Sequence, residues 1–197
     1  MKHLELSKIR QLYFGYADIA KALGISASSA KVSAGRYVRL GLLVRIRRNV
    51  YVLRERWNAA GREEKFVIAN LGQVPSYISL MTALDYYEII SQVQRGFFES
   101  TALKRTKEIQ VSSNLFRYTK VNAAFYFGFK KEKDFFIATP EKALLDACYL
   151  MSYGRYALDI SAVDAGKLDR EEIKRLSELF PLRTKNMLRR HGYLKPT

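Results

Sequence analysis

The chain has 197 residues, 48% hydrophobic and 27% charged, a soluble globular composition with enough apolar material for a real core. No run approaches the about 18 apolar residues of a membrane-spanning helix. The charged start MKHLELSKIR lacks the apolar stretch of a secretory leader, and a single cysteine, Cys148, excludes an internal disulfide framework, so a cytoplasmic protein is expected.

Thirty-four Lys/Arg against nineteen Asp/Glu give a net charge of +15, which favours a polyanionic partner, nucleic acid above all. The excess is uneven. Residues 1–56 hold 12 Lys/Arg and 3 Asp/Glu, whereas residues 57–197 hold 22 and 16.

In chain order, Leu4, Leu6, Ile9 and Leu12 allow a short first helix. YADIAKALG sets Ile19, Ala20 and Leu23 at helical spacing and ends on Gly24, a residue suited to the left-handed position after a helix. Ser26 then caps a helix from Ala27 to about Leu40, stopped by Gly41. The three- or four-residue turn between the two is that of a helix-turn-helix. At about 100° per residue, Ala27, Ala30, Ala34, Tyr37 and Gly41 fall on one side, with Val38 near them. Ser28, Ser29, Val32, Arg36 and Arg39 fall opposite, with Lys31 on the flank. Small inner residues permit close packing. The outer serines fit a major groove roughly 12 Å wide, and the arginines reach phosphates or guanine edges.

LLVRIRRNVYVL predicts a hairpin: a strand near 42–46, a turn at Arg47-Arg48-Asn49 and a strand near 50–53. Asn49 tolerates the positive φ such a turn needs. Arg45, Arg47 and Arg48 crowd its tip, as in a wing that touches the DNA backbone or minor groove. The expected DNA-binding residues are therefore Ser28, Ser29, Lys31, Val32, Arg36, Arg39, Arg45, Arg47 and Arg48, in a winged helix-turn-helix over residues 1–56.

The polar stretch at residues 57–65 reads as a linker, with Trp57 hinting at some packing. FVIANL is helical in pattern, and Pro75 and Ser76 are expected to open a helix with Ile78, Met81, Ala83 and Leu84 inward. FFESTAL, EIQVSS, LFRYTKV, AAFYFGF and DFFIAT predict a mainly antiparallel sheet of four or five strands. TPEKALLDACYLMSY follows as a helix with Thr139 as cap and Pro140 at its first position. Asp169 and Glu172 form a capping-box pair, and PLRTKNMLRRHG is a last basic helix ended by Gly192. The fold class is α+β, the second domain covering residues 66–197.

Signals of catalysis are weak. There is no phosphate-cradling glycine loop, no GxSxG and no zinc-type Cys/His pairing, so no catalytic residue, metal or cofactor is assigned. Asp134, Glu141 and Lys142 loosely match the acidic-plus-lysine set of metal-dependent nucleases. However, Glu141 and Lys142 are adjacent at a helix start and point in different directions.

The winged element ending in VRIRRNVYVL, then PSYISLMTALDYY, then FFIATPEKALLDACYL, resembles the AbiEi antitoxin family along essentially the whole chain. SYISLMTAL and ATPEKALLD are the more specific markers. The family's wing has a glycine where this chain has Asn49. The resemblance implies an antitoxin of a type IV toxin–antitoxin, abortive-infection (phage-defence) system. Its N-terminal domain would repress its own operon at promoter inverted repeats, and its C-terminal domain would counteract a nucleotidyltransferase-like toxin. The expected partners are double-stranded DNA and that toxin, with or without direct contact, and no membrane. The alternative is a plain winged-helix regulator with a ligand-sensing or dimerising second domain. Within the last helix, Lys185, Arg189 and Arg190 are the candidates for antitoxicity, as a basic patch that meets an anionic surface. The competing reading is a solvated helix end whose cations offset the dipole.

Overall fold

The computed structural model describes residues 2–91 and 95–195, and the chain divides into two compact units, Met1–Gly72 and Gln73–Thr197. The first unit opens with a 3-10 helix over Lys2–Lys8. Helices α1 (Tyr16–Leu23) and α2 (Ala27–Arg39), strands β1 (Leu43–Arg47) and β2 (Val50–Leu53), and helices α3 (Arg54–Ala59) and α4 (Arg62–Gly72) follow. The expected first helix is thus a tighter 3-10 helix that ends at Lys8, leaving buried Ile9 and half-buried Leu12 beyond its end.

Local chemistry sets the next two helices. Gly24 closes α1 at φ +62, where a side chain would be strained, and its N–H donates to the Ala20 carbonyl. Ser26 caps α2, its Oγ accepting from the Ser29 N–H at 3.2 Å. Ala30, Ala34 and Tyr37 are buried against a core that includes Leu6, Phe14, Ile19, Leu43 and Tyr51. Ala27, expected on that face, is exposed at the first position of the helix.

The linker expected over residues 57–65 is not one. It forms the end of α3 and the start of α4, and the boundary falls after Gly72. The cause is apolar anchoring on both sides of the polar stretch. Trp57 is only 3% exposed, and Ala60, Phe66, Ile68 and Ala69 are buried. Each large side chain so buried contributes about 1.5–3 kcal/mol, enough to hold a hydrophilic segment on the fold. The first domain therefore ends at residue 72 rather than 56, and the second begins at 73 rather than 66.

The second unit contains β3 (Ser76–Ile78), α5 (Leu80–Tyr86), β4 (Phe97–Ala102), β5 (Lys107–Val111) and β6 (Asn114–Lys120). It continues with β7 (Phe129–Glu132), β8 (Phe135–Ala138), α6 (Pro140–Ser152), α7 (Arg170–Ser177) and α8 (Leu182–Arg190). The six strands form one sheet in the order β5-β6-β4-β3-β8-β7. The α+β class holds, and the sheet is mixed, with antiparallel pairings in the majority. β4 runs parallel to β6 and β3 parallel to β8, while the other three pairings are antiparallel.

Two segments depart from expectation. Ser76–Ile78 is a central strand, not a helix start; it is buried on both faces, so its sequence shows no alternation to read. AAFYFGF is not a strand before Phe129, its last residue and the first of β7, because the Asn122 side chain accepts from the Ala124 N–H and turns the chain into a 3-10 helix over Ala123–Phe125. Helix α6 begins as expected, with Thr139 as cap and Pro140 in the first turn. It packs against α5, α7, α8 and β8, which explains why nearly all of its residues are buried.

Candidate functional site

The nine residues expected to face DNA lie on two elements of the first unit, and all nine are exposed. Six are cations: Lys31, Arg36 and Arg39 on α2, and Arg45, Arg47 and Arg48 on the hairpin. Among the described residues none of the six has a carboxylate within ion-pair distance. Val32, at 72% exposure, leaves an apolar side chain in solvent in the middle of this outer stripe. Arg36 lies over the Tyr37 ring, 5.3 Å from its centroid, which steadies the guanidinium against the helix. Ser28 and Ser29 are engaged rather than free. Both hydroxyls lie 2.9 Å from the Ser26 Oγ, in one hydrogen-bonded cluster at the cap.

The hairpin is held to the helices by contacts that the sequence does not announce. Asn49 adopts φ +60 at the turn, and its Oδ1 accepts from the Tyr16 N–H at 2.6 Å. Gly15 makes room for this approach, since a Cβ there would meet the Asn49 Oδ1 at 2.9 Å. Phe14 and Tyr51 exchange backbone hydrogen bonds of 3.0 and 2.9 Å, and the Tyr51 hydroxyl donates to that of Tyr16. Burial, helped by this bond, pushes the Tyr51 phenol up to about 12, so that hydroxyl keeps its proton at physiological pH. Arg45 and Arg47, two residues apart on β1 and so on one face, are both in solvent, while Leu43, Val44 and Ile46 are buried; a register shift lies between the two arginines.

In the second unit the three basic residues of α8 separate. Lys185 is only 18% exposed and forms a 2.7 Å ion pair with Glu178. Arg189 donates from Nη1 to the Asn186 Oδ1 at 2.9 Å, and both Lys185 and Arg189 line a cleft with residues of α7. Arg190 lines a different depression, with Met151, Arg183 and Met187. Lys185 and Arg189 share a face, as their spacing predicts, and Arg190 does not join them.

The most concentrated polar chemistry of the second unit is buried. Lys142 and Asp146, one turn apart on α6, are fully buried and ion-paired. The second Asp146 oxygen accepts from the Tyr77 hydroxyl at 2.9 Å, Ser79 at 2.8 Å and Thr101 at 3.4 Å. Lys142 also donates to the Tyr77 hydroxyl at 2.9 Å and lies against the rings of Tyr77, Phe127 and Phe180. Burial holds the Lys142 ammonium below its usual range, against the opposing pull of the Asp146 charge. Gly128 is required here, because a Cβ would come within 2.9 Å of the Lys142 Cγ.

A sequence signal for this network existed: a Lys and an Asp four residues apart in an otherwise apolar helix. Glu141, the neighbour of Lys142, is committed elsewhere and accepts from the Asp169 N–H at 3.2 Å. That bond takes the place of the expected return from Glu172, whose carboxylate binds Arg175 instead. Asp134 is exposed at the turn between β7 and β8. Among the described residues no group of three or more His, Cys, Asp or Glu is placed to hold a metal, and no helix is long and apolar enough to cross a membrane.

No protein-family model matches this sequence, and neither does any curated protein. Among solved structures the chain is similar to the crystal structure of RV2827C protein from Mycobacterium tuberculosis. The TM-score is 0.58 and the identity 13%, over 96% of this chain and 75% of that one. The likeness is one of fold.

Proposed function

We propose that this protein is a DNA-binding antitoxin whose first unit is a winged helix-turn-helix. In this reading α2 is the recognition helix and the β1–β2 hairpin is the wing. The observation that carries it is the state of the cations: six on α2 and the hairpin are exposed and without a carboxylate partner among the described residues. Unpaired surface cations on a positively charged unit keep their full attraction for phosphates, and each one engaged releases counterions from DNA. The hairpin is anchored through Asn49 and Tyr51 before any partner arrives, so little ordering cost is left for binding.

The antitoxin part rests on the AbiEi resemblance. It is supported by the way the two marker segments meet. Tyr77 and Ser79 of SYISLMTAL close on Lys142 and Asp146 of ATPEKALLD. Those markers thus encode one buried arrangement, which suits a fold signature better than a chance match. A plain winged-helix regulator is the second reading, favoured by the charged cleft beside α8.

Fluorescence anisotropy on inverted repeats upstream of the gene tests the DNA reading. Arg47→Ala with Arg48→Ala should weaken binding to every sequence and flatten the dependence of log affinity on log salt, by about 0.9 for each phosphate no longer neutralised. Unchanged affinity and slope would mean that the hairpin is not a wing. Growth of cells co-expressing the neighbouring gene product then separates antitoxin from plain regulator: rescue favours the first, and a harmless neighbour the second.

A further inference from the structure

The cleft between α7 and α8 encloses about 510 Å³ and is lined by Arg170, Lys174, Lys185, Arg189 and Lys195 against only two carboxylates, Glu171 and Glu178. Three of the cations act on one point. The Glu178 carboxyl is held below the usual range by its hydrogen bond to Lys185, with Arg189 and Lys174 adding to the effect. Arg189 carries a further mark, because its Nε is buried with no acceptor among the described residues. A charged donor without a partner calls for a ligand or an ordered solvent.

Glu178 itself is a weak occupant. Its side chain is 68% exposed, and an exposed ion pair gives little net stability. A phosphate carries more charge and more acceptor oxygens than a carboxylate, so the same cations bind it better. We propose that this cleft is a phosphate-binding site, with Glu178 as the internal anion that a phosphate-bearing ligand displaces from Lys185, and with Arg189 and Lys174 as further cations for the phosphate. Arg170, whose Nη1 donates to the Gly192 carbonyl, fixes the turn after α8 and leaves its remaining charge facing the cleft. The site does not depend on the DNA-binding reading of the first unit.

The test uses the full chain carrying Arg45→Ala, Arg47→Ala and Arg48→Ala, so that hairpin cations do not contribute. Titration calorimetry at low salt compares pyrophosphate, ATP and a short single-stranded RNA. Lys185→Gln and Arg189→Gln should each weaken binding by about tenfold or more, the usual worth of a charge-assisted bond. Lys174→Gln, at an exposed position outside any described ion pair, should weaken it severalfold with the circular dichroism spectrum unchanged. Glu178→Gln should strengthen it, because the competing carboxylate is gone. That gain separates a binding seat from a structural ion pair, in which removal of either partner only does harm. Saturation by pyrophosphate or ATP supports the site with a small free ligand, and saturation by RNA alone supports it with a polymer's phosphates. Affinities unmoved by Lys174→Gln and Lys185→Gln, or weakened by Glu178→Gln, overturn the proposal.

Discussion

The two units use charge in opposite ways. In Met1–Gly72 the cations of α2 and the hairpin stand in solvent with no carboxylate partner among the described residues, and the core beneath them is apolar. In Gln73–Thr197 a lysine and an aspartate lie fully buried at the centre, bound by three hydroxyls, and Glu99 is buried with its own partner, Tyr156. A surface cation is cheap to keep and available to a partner. A buried pair is costly to desolvate and makes up for that only when every lone pair and proton is met. The contrast teaches that a net charge of +15 says where attraction starts, not which charges do the attracting.

The sharpest way to break the contrast is Asp146→Ala. It leaves the Lys142 ammonium buried without its counter-charge, and such losses cost about 3–5 kcal/mol. The single tryptophan, Trp57, belongs to the first unit, so its fluorescence follows that unit while circular dichroism follows both. In urea, the variant should lose an early fraction of the ellipticity with the Trp57 transition in place. A Trp57 transition that moved equally would show that the units do not melt separately.

Asn49→Ala probes the first unit on a smaller scale. It places alanine at φ +60 and removes the bond to Tyr16, together about 2 kcal/mol. Asn49→Gly should recover the backbone share and keep only the loss of the bond, about 1 kcal/mol. Both are read from the Trp57 urea midpoint.

The smallest effect is expected at Glu99, where burial raises the carboxyl above its ordinary 4.5 against the opposing bond from Tyr156. Because the folded value lies above the unfolded one, the carboxylate burdens the folded state only as pH rises past 4.5; below it both states are protonated and the burden is absent. Glu99→Gln should match the wild type near pH 4 and become the more stable, by about 1 kcal/mol or less, towards neutrality. Thermal melts across that range check the sign. A variant less stable at pH 7 than at pH 4, relative to wild type, would contradict it.

Much of the first unit was legible because its signals are local. Gly24, Ser26 and Asn49 each set a backbone state within a few residues, and Ala30, Ala34 and Tyr37 mark the inner face of α2 by period alone. The end of that unit was not legible, since a polar stretch anchored by Trp57 and Phe66 looks like a linker until its neighbours are known. In the second unit β3 hid because a strand buried on both faces carries no alternation. The parallel pairings hid because they join segments distant in sequence. The face shared by Lys185 and Arg189 followed from spacing, whereas the ion pair with Glu178, across the turn between α7 and α8, did not.

The strand order also has a consequence for synthesis. As the chain leaves the ribosome, β3 pairs first with β4, and β5 and β6 then extend the β4 side. The opposite edge of β3 stays bare until β8 arrives, some sixty residues after β3 itself. A strand with unpaired N–H and C=O groups is a template for other chains. A product truncated before Phe135 would therefore be adhesive rather than merely incomplete, and the last hairpin, β7–β8, is the piece that makes the sheet safe to release.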